Sequence, residues 1–385
     1  MIAIGAELQV DLAALVHNWR QIAHVASPGS CAAVVKADGY GLGAVRVSQA
    51  LIGAGCRTLF VATADEALAL RAAGIAVDVF VFEGARAESL EALAAANIAP
   101  VLNDAAQCAR WLKLKQRLQR PLMCALHVDT GMARLGFSVD ELLYWSQHRD
   151  RVQLLAPQFL MTHLACADEP QHPLNAVQLA RFARCREMLP GLPVSIGNSA
   201  GALAAAARSD EPADGADTRG DLVRPGIALY GGNPFVDQRA LPLREVVQLR
   251  APVLQVRELP AHESVGYGAS VTTQGSTRIA TVGLGYADGY LRSLSNSGRA
   301  RVAGVEVPVL GRVSMDLVMV DVSALASPVT PGTWVTFLGG GIGLDQTAAA
   351  AGTISYELLV RMGPRVARRY INPTANEPAT EAGQL

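Results

Sequence analysis

The chain has 385 residues, half of them hydrophobic and only 17% charged, which is too long for one small core and predicts two domains with a large buried fraction. Its formal net charge of −1 argues against nucleic acid or an anionic membrane as an obligatory partner. So low a charged fraction leaves little to cover the surface and favours a homo-oligomer. No apolar run reaches membrane-spanning length, since the longest, residues 154–167, contains Gln158 and His163. The opening MIAIGAELQVDL lacks a basic stretch and meets Glu7 and Asp11 early, so it does not read as a signal peptide. Six cysteines, at 31, 56, 108, 124, 166 and 185, show no CxxC spacing. They predict reduced core thiols, no metal centre, and a cytoplasmic location.

In chain order, short apolar runs alternate with Ala/Leu-rich helical stretches from about residue 30 to 230. The predicted strands are 32–35, 58–61, 77–82, 98–101, 122–128, 158–162, 194–196 and 227–230, and helices such as 64–73, 88–96, 105–118 and 175–189 lie between them. Eight strands separated by helices predict a parallel (β/α)8 TIM barrel rather than an open doubly wound sheet. The polar stretch 209–221 predicts an exposed loop before the eighth strand. After Asn233-Pro234 the texture changes. Runs 246–259, 278–284, 299–310, 317–322 and 334–338 are β-rich with Gly/Pro turns between them, so a second, mainly antiparallel β domain is expected. The expected boundaries are 8–237 for the barrel and 238–373 for the β domain, which residues 1–7 could join, with a flexible tail at 374–385.

Lys36 directly follows four apolar strand residues, at the end of the first strand where barrel active sites are built. Its plain reading is a strand-end lysine reaching solvent. The following Gly39-Tyr40-Gly41 adds an aromatic at the same mouth, and a lysine leaving water can form a Schiff base with an aldehyde. Arg134 follows the fifth strand, His163 the sixth and Asn198-Ser199 the seventh, while Arg224-Pro225-Gly226 lead into the eighth. A satisfied core histidine or an ordinary helix cap explains each singly; their gathering at one mouth does not come so cheaply. Ser199 is expected to cap the helix beginning at Ala200 and, with Gly226, to offer an anion site. In the β domain, Tyr267 and Tyr286 are bracketed by glycines, which by itself marks turns; a catalytic tyrosine there would need a partner such as His163.

The motifs AVVKADGYGLG, HVDTGMARLG, MTHLACAD, GNSAGAL, LVRPGIALYGG, VGYG, GYADGY, GRVSMD and TISYELL resemble, in the same order, those of alanine racemases, a group of fold-type III pyridoxal-phosphate enzymes. The resemblance runs from about residue 7 to 371. It implies interconversion of L- and D-alanine, for peptidoglycan supply or catabolism, with pyridoxal 5'-phosphate held covalently by Lys36. Lys36 would serve as one base, and Tyr267, lent across a homodimer with shared sites, as the other. Tyr40, Ser199, Gly226, Ile227 and Tyr356 match phosphate-binding positions, and Asn198 accompanies them. Arg224 matches the residue facing the pyridine nitrogen, and His163 the one linking that arginine to the tyrosine base. Arg134 and Met315 match positions near the substrate carboxylate, and Tyr286 and Arg292 the entrance. Two bases on opposite faces of a flat ring suit racemisation. An arginine at the ring nitrogen keeps that nitrogen unprotonated and biases the outcome away from transamination.

Some positions depart from the common pattern. Many relatives carry a carbamylated lysine where this chain has His127, so Arg134 must be held by the imidazole, an anion or water. Asp38-Gly39 stands where Asn-Ala is commoner. The competing readings are a fold-type III decarboxylase, disfavoured by Arg224 in place of an acid; a broad-specificity racemase; and a non-catalytic pyridoxal-phosphate carrier, which would not need the β domain or Tyr267. A barrel hydrolase is remote, because neither paired carboxylates nor metal spacing emerge.

Overall fold

The computed structural model describes residues 5–204 and 218–372. Seven short parallel strands form one curled sheet in chain order: Ala33–Val34, Thr58–Val61, Asp78–Val81, Ala99–Leu102, Ala125–His127, Leu160–Met161 and Val194–Ser195. The eighth, Leu222–Val223, pairs in parallel with Ser30–Cys31. Its flanks bond both edges of the sheet: Ala32 N donates to Val223 O and Val34 N to Pro225 O, while Asp221 N donates to Val194 O and Arg224 N to Gly197 O. The ring is thereby a TIM barrel. Its wall is lined by apolar side chains, with Phe60, Phe80 and Phe159 meeting at centroid distances of 4.9–6.1 Å.

One strand differs from the sequence expectation. Ile227–Tyr230 is a buried 3-10 turn, not the eighth strand, because a four-residue apolar run buried on every side carries no period that separates strand from helix. Arg224-Pro225-Gly226 therefore follow the eighth strand and stand at its carboxyl end. Positions 209–217 of the expected loop lie outside the described residues, whereas Thr218–Asp221 join the closure, with Asp221 Oδ2 accepting from Val194 N at 2.8 Å.

The second sheet has eight strands, ordered Thr277–Val282, Val318–Asp321, Val305–Leu310, Arg299–Val302, Trp334–Leu338, Val247–Leu259, Glu7–Asp11 and Ala367–Ile371. All neighbours are antiparallel except the last pair. The expected single run 299–310 is a hairpin turning at Ala303-Gly304, both at positive φ. Glu7–Asp11 lies in this sheet, whereas the sequence expectation began the barrel at residue 8. Its pattern is too short to reveal which partners it takes, and those partners lie more than two hundred residues away. Glu7, 2% exposed, pairs with Arg250 at 2.6 Å. Asp11 then caps helix Leu12–Ala26, accepting from Ala14 N. Buried Asn18 ties this helix across the junction, donating to Leu229 O and Arg244 O and accepting from Arg244 N at 2.7 Å. Positions 373–385 and 1–4 lie outside the described residues. No described helix is long and apolar enough to cross a membrane, and all six cysteines are free.

Candidate active site

The buried run Ala32–Val35 delivers Lys36 to the barrel mouth, and the chain then turns left-handed. Ala37, Asp38, Gly39 and Tyr40 have φ of 52°, 52°, 63° and 56°. This turn brings Tyr40 back over the barrel, where its ring stacks on Tyr230 at 4.5 Å and lies 6.2 Å from Tyr356 of helix Ser355–Val360. Tyr230 is itself fixed by donating to Val34 O at 2.9 Å. Lys36 Nζ lies 6.0 Å from the centre of the Phe82 ring. Burial first and the Arg134 guanidinium second pull its pKa below the usual lysine value, with Glu66 opposing.

A cavity of about 350 Å³ opens between this mouth and Tyr356. The structure brings to it Lys36, Tyr40, His127, Arg134, His163, Asn198, Ser199, Arg224, Gly226, Ile227 and Tyr356. None of the described lining residues is acidic, while Lys36, Arg134 and Arg224 are basic. Such a cavity favours an anionic guest.

Arg224 is 2% exposed. Its Nη1 donates to Ser195 Oγ and its Nη2 to Thr162 O at 2.7 Å and Ile196 O at 3.2 Å. Burial lowers its pKa to about 9, so it stays cationic at neutral pH, and its Nε is buried without a partner among the described residues. The guanidinium's bonds therefore run to the sixth and seventh strands rather than to His163. His163 is held neutral, its pKa driven well below the usual value by burial and then by Arg224, Arg134, His127 and Lys36.

His127 has an assignable tautomer. Asn103 Nδ2 donates to Phe82 O at 3.0 Å and Val101 O at 2.9 Å, so Asn103 Oδ1 is the acceptor of the 2.8 Å bond from His127 Nδ1. Nε2 then carries a lone pair. Burial, with Arg224 and Arg134, lowers this histidine to about 3 against the pull of Asp129.

Asn198, not Ser199, caps helix Ser199–Ala204, because Asn198 Oδ1 accepts from Gly201 N at 2.9 Å. Ser199 is the first helical residue instead. Its Oγ accepts from Gly226 N at 2.9 Å and Ala228 N at 3.3 Å, which leaves its hydroxyl proton to donate elsewhere. A Cβ added at Gly226 would lie 2.2 Å from Tyr40 Oη, so only glycine leaves that corner open.

Tyr267, Tyr286, Arg292 and Met315 do not line this cavity. They lie on the β domain, with Tyr267 71% exposed in a 3-10 turn and Met315 53% exposed. Ala287 N donates to Met315 O at 3.0 Å, which joins the Tyr286 and Met315 segments. Three residues that shape the site were missed in the sequence: Tyr230, Asn103 and Glu66. Only Glu66 left a signal, the Thr63-x-x-Glu66 spacing of a capping box.

Two family models match the chain: the alanine racemase N-terminal domain over residues 10–234 and the alanine racemase C-terminal domain over 246–370. Among characterised proteins it is similar to the catabolic alanine racemase of Agrobacterium fabrum, 44% identical over 98% of this chain and 94% of that protein. It is similar also to the alanine racemase of Rhodospirillum rubrum, 45% identical over 95% and 96%. Its fold matches the crystal structure of alanine racemase from Bartonella henselae with covalently bound pyridoxal phosphate, at a TM-score of 0.87 and 36% identity over 95% of this chain and 99% of that one.

Proposed function

The chain belongs to the alanine racemase family and is an isomerase acting on amino acids, and from that premise we propose that it interconverts L- and D-alanine by a two-base mechanism dependent on pyridoxal 5'-phosphate. The observation that carries this reading is the convergence of Lys36, Tyr40, Ser199, Arg224 and Gly226 on one basic cavity. The residues present suit the cofactor. Lys36, with its lowered pKa, is the amine for the aldehyde. The partnerless Nε of Arg224 is a donor for an unprotonated ring nitrogen. The open corner at Gly226, beside the Tyr40 and Ser199 hydroxyls, suits a phosphate, with Asn198, Ile227 and Tyr356 around it.

When bound, the cofactor supplies the electron sink that makes an amino acid's α-hydrogen acidic. Lys36 Nζ takes or returns that proton on one face, and Tyr267 of the partner subunit serves the opposite face through its Oη. Arg224, charged and unable to surrender its proton at neutral pH, keeps the ring nitrogen unprotonated. His163 stays neutral beside it and is the neighbour of the tyrosine base. Arg134 and the partner subunit's Met315 receive the substrate carboxylate, with His127 Nε2 as the acceptor that steadies Arg134. Tyr286 of the partner subunit and Arg292 of the partner subunit border the entrance and limit water.

A homodimer with shared sites is supported by the exposure of Tyr267 away from its own chain's cavity and by Val236 and Ile354, 63% and 61% exposed, in an adjoining cleft. The free cysteines accord with a cytoplasmic location. The test is direct. Incubation with L-alanine followed by chiral chromatography is expected to yield D-alanine, and borohydride reduction with mass spectrometry to find a pyridoxyl group on Lys36. Lys36→Ala is expected to lose both. An active protein with no adduct at Lys36 refutes the reading.

A further inference from the structure

We infer that Glu66 is a positioning residue for Lys36, its carboxylate fixing the Ala37 amide and with it the left-handed turn that directs Lys36 and Tyr40 into one cavity. The inference rests on the function proposed above for Lys36.

Four successive residues in the left-handed region are not self-supporting, because for all but glycine the Cβ crowds the following carbonyl. Three of the four, Ala37, Asp38 and Tyr40, are not glycine. Bonds within the turn, from Gly39 N to Val35 O at 2.9 Å and from Gly41 N to Ala37 O at 2.8 Å, offset part of this cost, and contacts from outside hold both ends. At its far end Arg368 Nη2 donates to Gly41 O at 3.0 Å and Tyr370 Oη to Leu42 O at 2.9 Å. At its near end the holder is Glu66: Oε1 accepts from Ala37 N at 2.6 Å, while Oε2 accepts from Ala62 N at 2.7 Å and Thr63 N at 3.3 Å.

A capping box uses the glutamate only for the N-cap amide, here Thr63. The bond to Ala37 lies outside that motif. One carboxylate thus joins the carboxyl ends of the first two barrel strands, and the residue it grips is the immediate neighbour of Lys36. Glu66 is also the negative charge that acts on Lys36 against Arg134. The other titratable groups around Lys36 are Tyr40 on its own turn, His127, His163, Arg224 and Tyr356, of which the two histidines are neutral.

Wild type, Glu66→Gln, Glu66→Asp and the control Thr63→Ala are compared as full-length protein after the cofactor is stripped. Two readouts are taken against pH: the rate of pyridoxal phosphate addition to Lys36, and trace acetylation of Lys36 by acetic anhydride, followed by peptide mass. Glu66→Gln is expected to lower the alkaline plateau of pyridoxal phosphate addition at least tenfold and to move the Lys36 midpoint to lower pH. Glu66→Asp keeps the charge but not the reach, so its plateau falls while its midpoint stays. Thr63→Ala, which breaks only the helix cap, lowers the melting temperature and leaves both Lys36 readouts unchanged. Plateau and midpoint at wild-type values in folded Glu66→Gln, or Lys36 effects reproduced by Thr63→Ala, overturn the inference. Should Glu66→Gln fail to fold, a wild-type plateau in Glu66→Asp overturns it equally. If wild-type Lys36 takes up no pyridoxal phosphate, the proposed function falls. The acetylation midpoint still decides the role of Glu66.

Discussion

Replacing His127 by phenylalanine separates two contributions of a buried imidazole that have opposite signs. The ring is 7% exposed, and its Nδ1 proton satisfies Asn103 Oδ1. Phenylalanine leaves that oxygen unpaired, a cost of about 1–3 kcal/mol at any pH. The second contribution depends on pH. The folded pKa is about 3, below the ~6.5 of an unfolded histidine. Between these values the unfolded chain binds the extra proton, so stability is complete above pH ~6.5 and is lost as pH falls toward about 3. At about pH 5 the loss is ~2 kcal/mol, from 1.36 kcal/mol for each pH unit below the unfolded value. The variant has no such loss. It is therefore expected to be less stable than wild type near pH 7.5, and the gap is expected to close by about 2 kcal/mol near pH 5. The assay is urea unfolding of both proteins at equal protomer concentration, with the difference taken at each pH so that titrating groups remote from residue 127 cancel. A gap that stays constant, or widens in acid, refutes the neutral state of the buried imidazole; no gap at about pH 7.5 refutes the bond to Asn103.

Gly226→Ala pushes a methyl group against Tyr40 Oη, and a disturbance of about 1–3 kcal/mol is expected to weaken cofactor binding roughly ten- to hundredfold, read by titrating the stripped protein with pyridoxal phosphate; unchanged affinity argues against a phosphate at that corner. Tyr267→Phe is expected to keep the cofactor absorbance yet lose α-proton exchange from one enantiomer, and full exchange of both in deuterated water would remove Tyr267 as a base. Mixing Lys36→Ala with Tyr267→Phe subunits is expected to restore part of the activity, since each heterodimer rebuilds one intact site; no recovery counts against shared sites. Glu7→Ala strands Arg250, and because that guanidinium keeps some access to water the cost is expected to be about 2 kcal/mol or more, below the 3–5 kcal/mol of a fully buried pair, measured as a fall in the urea midpoint.

The barrel was legible because alternating apolar runs and helices are a local signal, and because strand-end polar residues fall where barrel active sites form. Lys36, Arg134, His163, Ser199 and Arg224 could all be picked out that way. The reading failed where local pattern and long-range pairing part company. Ile227–Tyr230 has the composition of a strand, yet the adjacent Leu222–Val223 takes the place in the ring. Asn198 and Ser199 are both good caps, and the bond from Gly201 N to Asn198, with Ser199 turned instead to Gly226 and Ala228, decides between them. Asn103 and Tyr230 act through partners brought in by other strands, Phe82 and His127 for the first and Val34 for the second, which no spacing along the chain reveals. Tyr267 stood out only by resemblance, since a tyrosine between glycines marks a turn as readily as a base.

The strand Glu7–Asp11 sets an order on how the molecule is assembled. It is synthesised before the barrel, whereas its hydrogen-bonding neighbours, Val247–Leu259 and Ala367–Ile371, are synthesised after it. The β domain thus stays incomplete until Ile371 has been synthesised, and contacts at such sequence separation close slowly. Cutting the gene near residue 238 would leave one fragment with an orphan ribbon and the other with a gap between two strands. Moving residues 5–11 to follow Ile371 through a crossover linker, needed because the two strands run parallel, would give each half its full set of strands and make the halves separable.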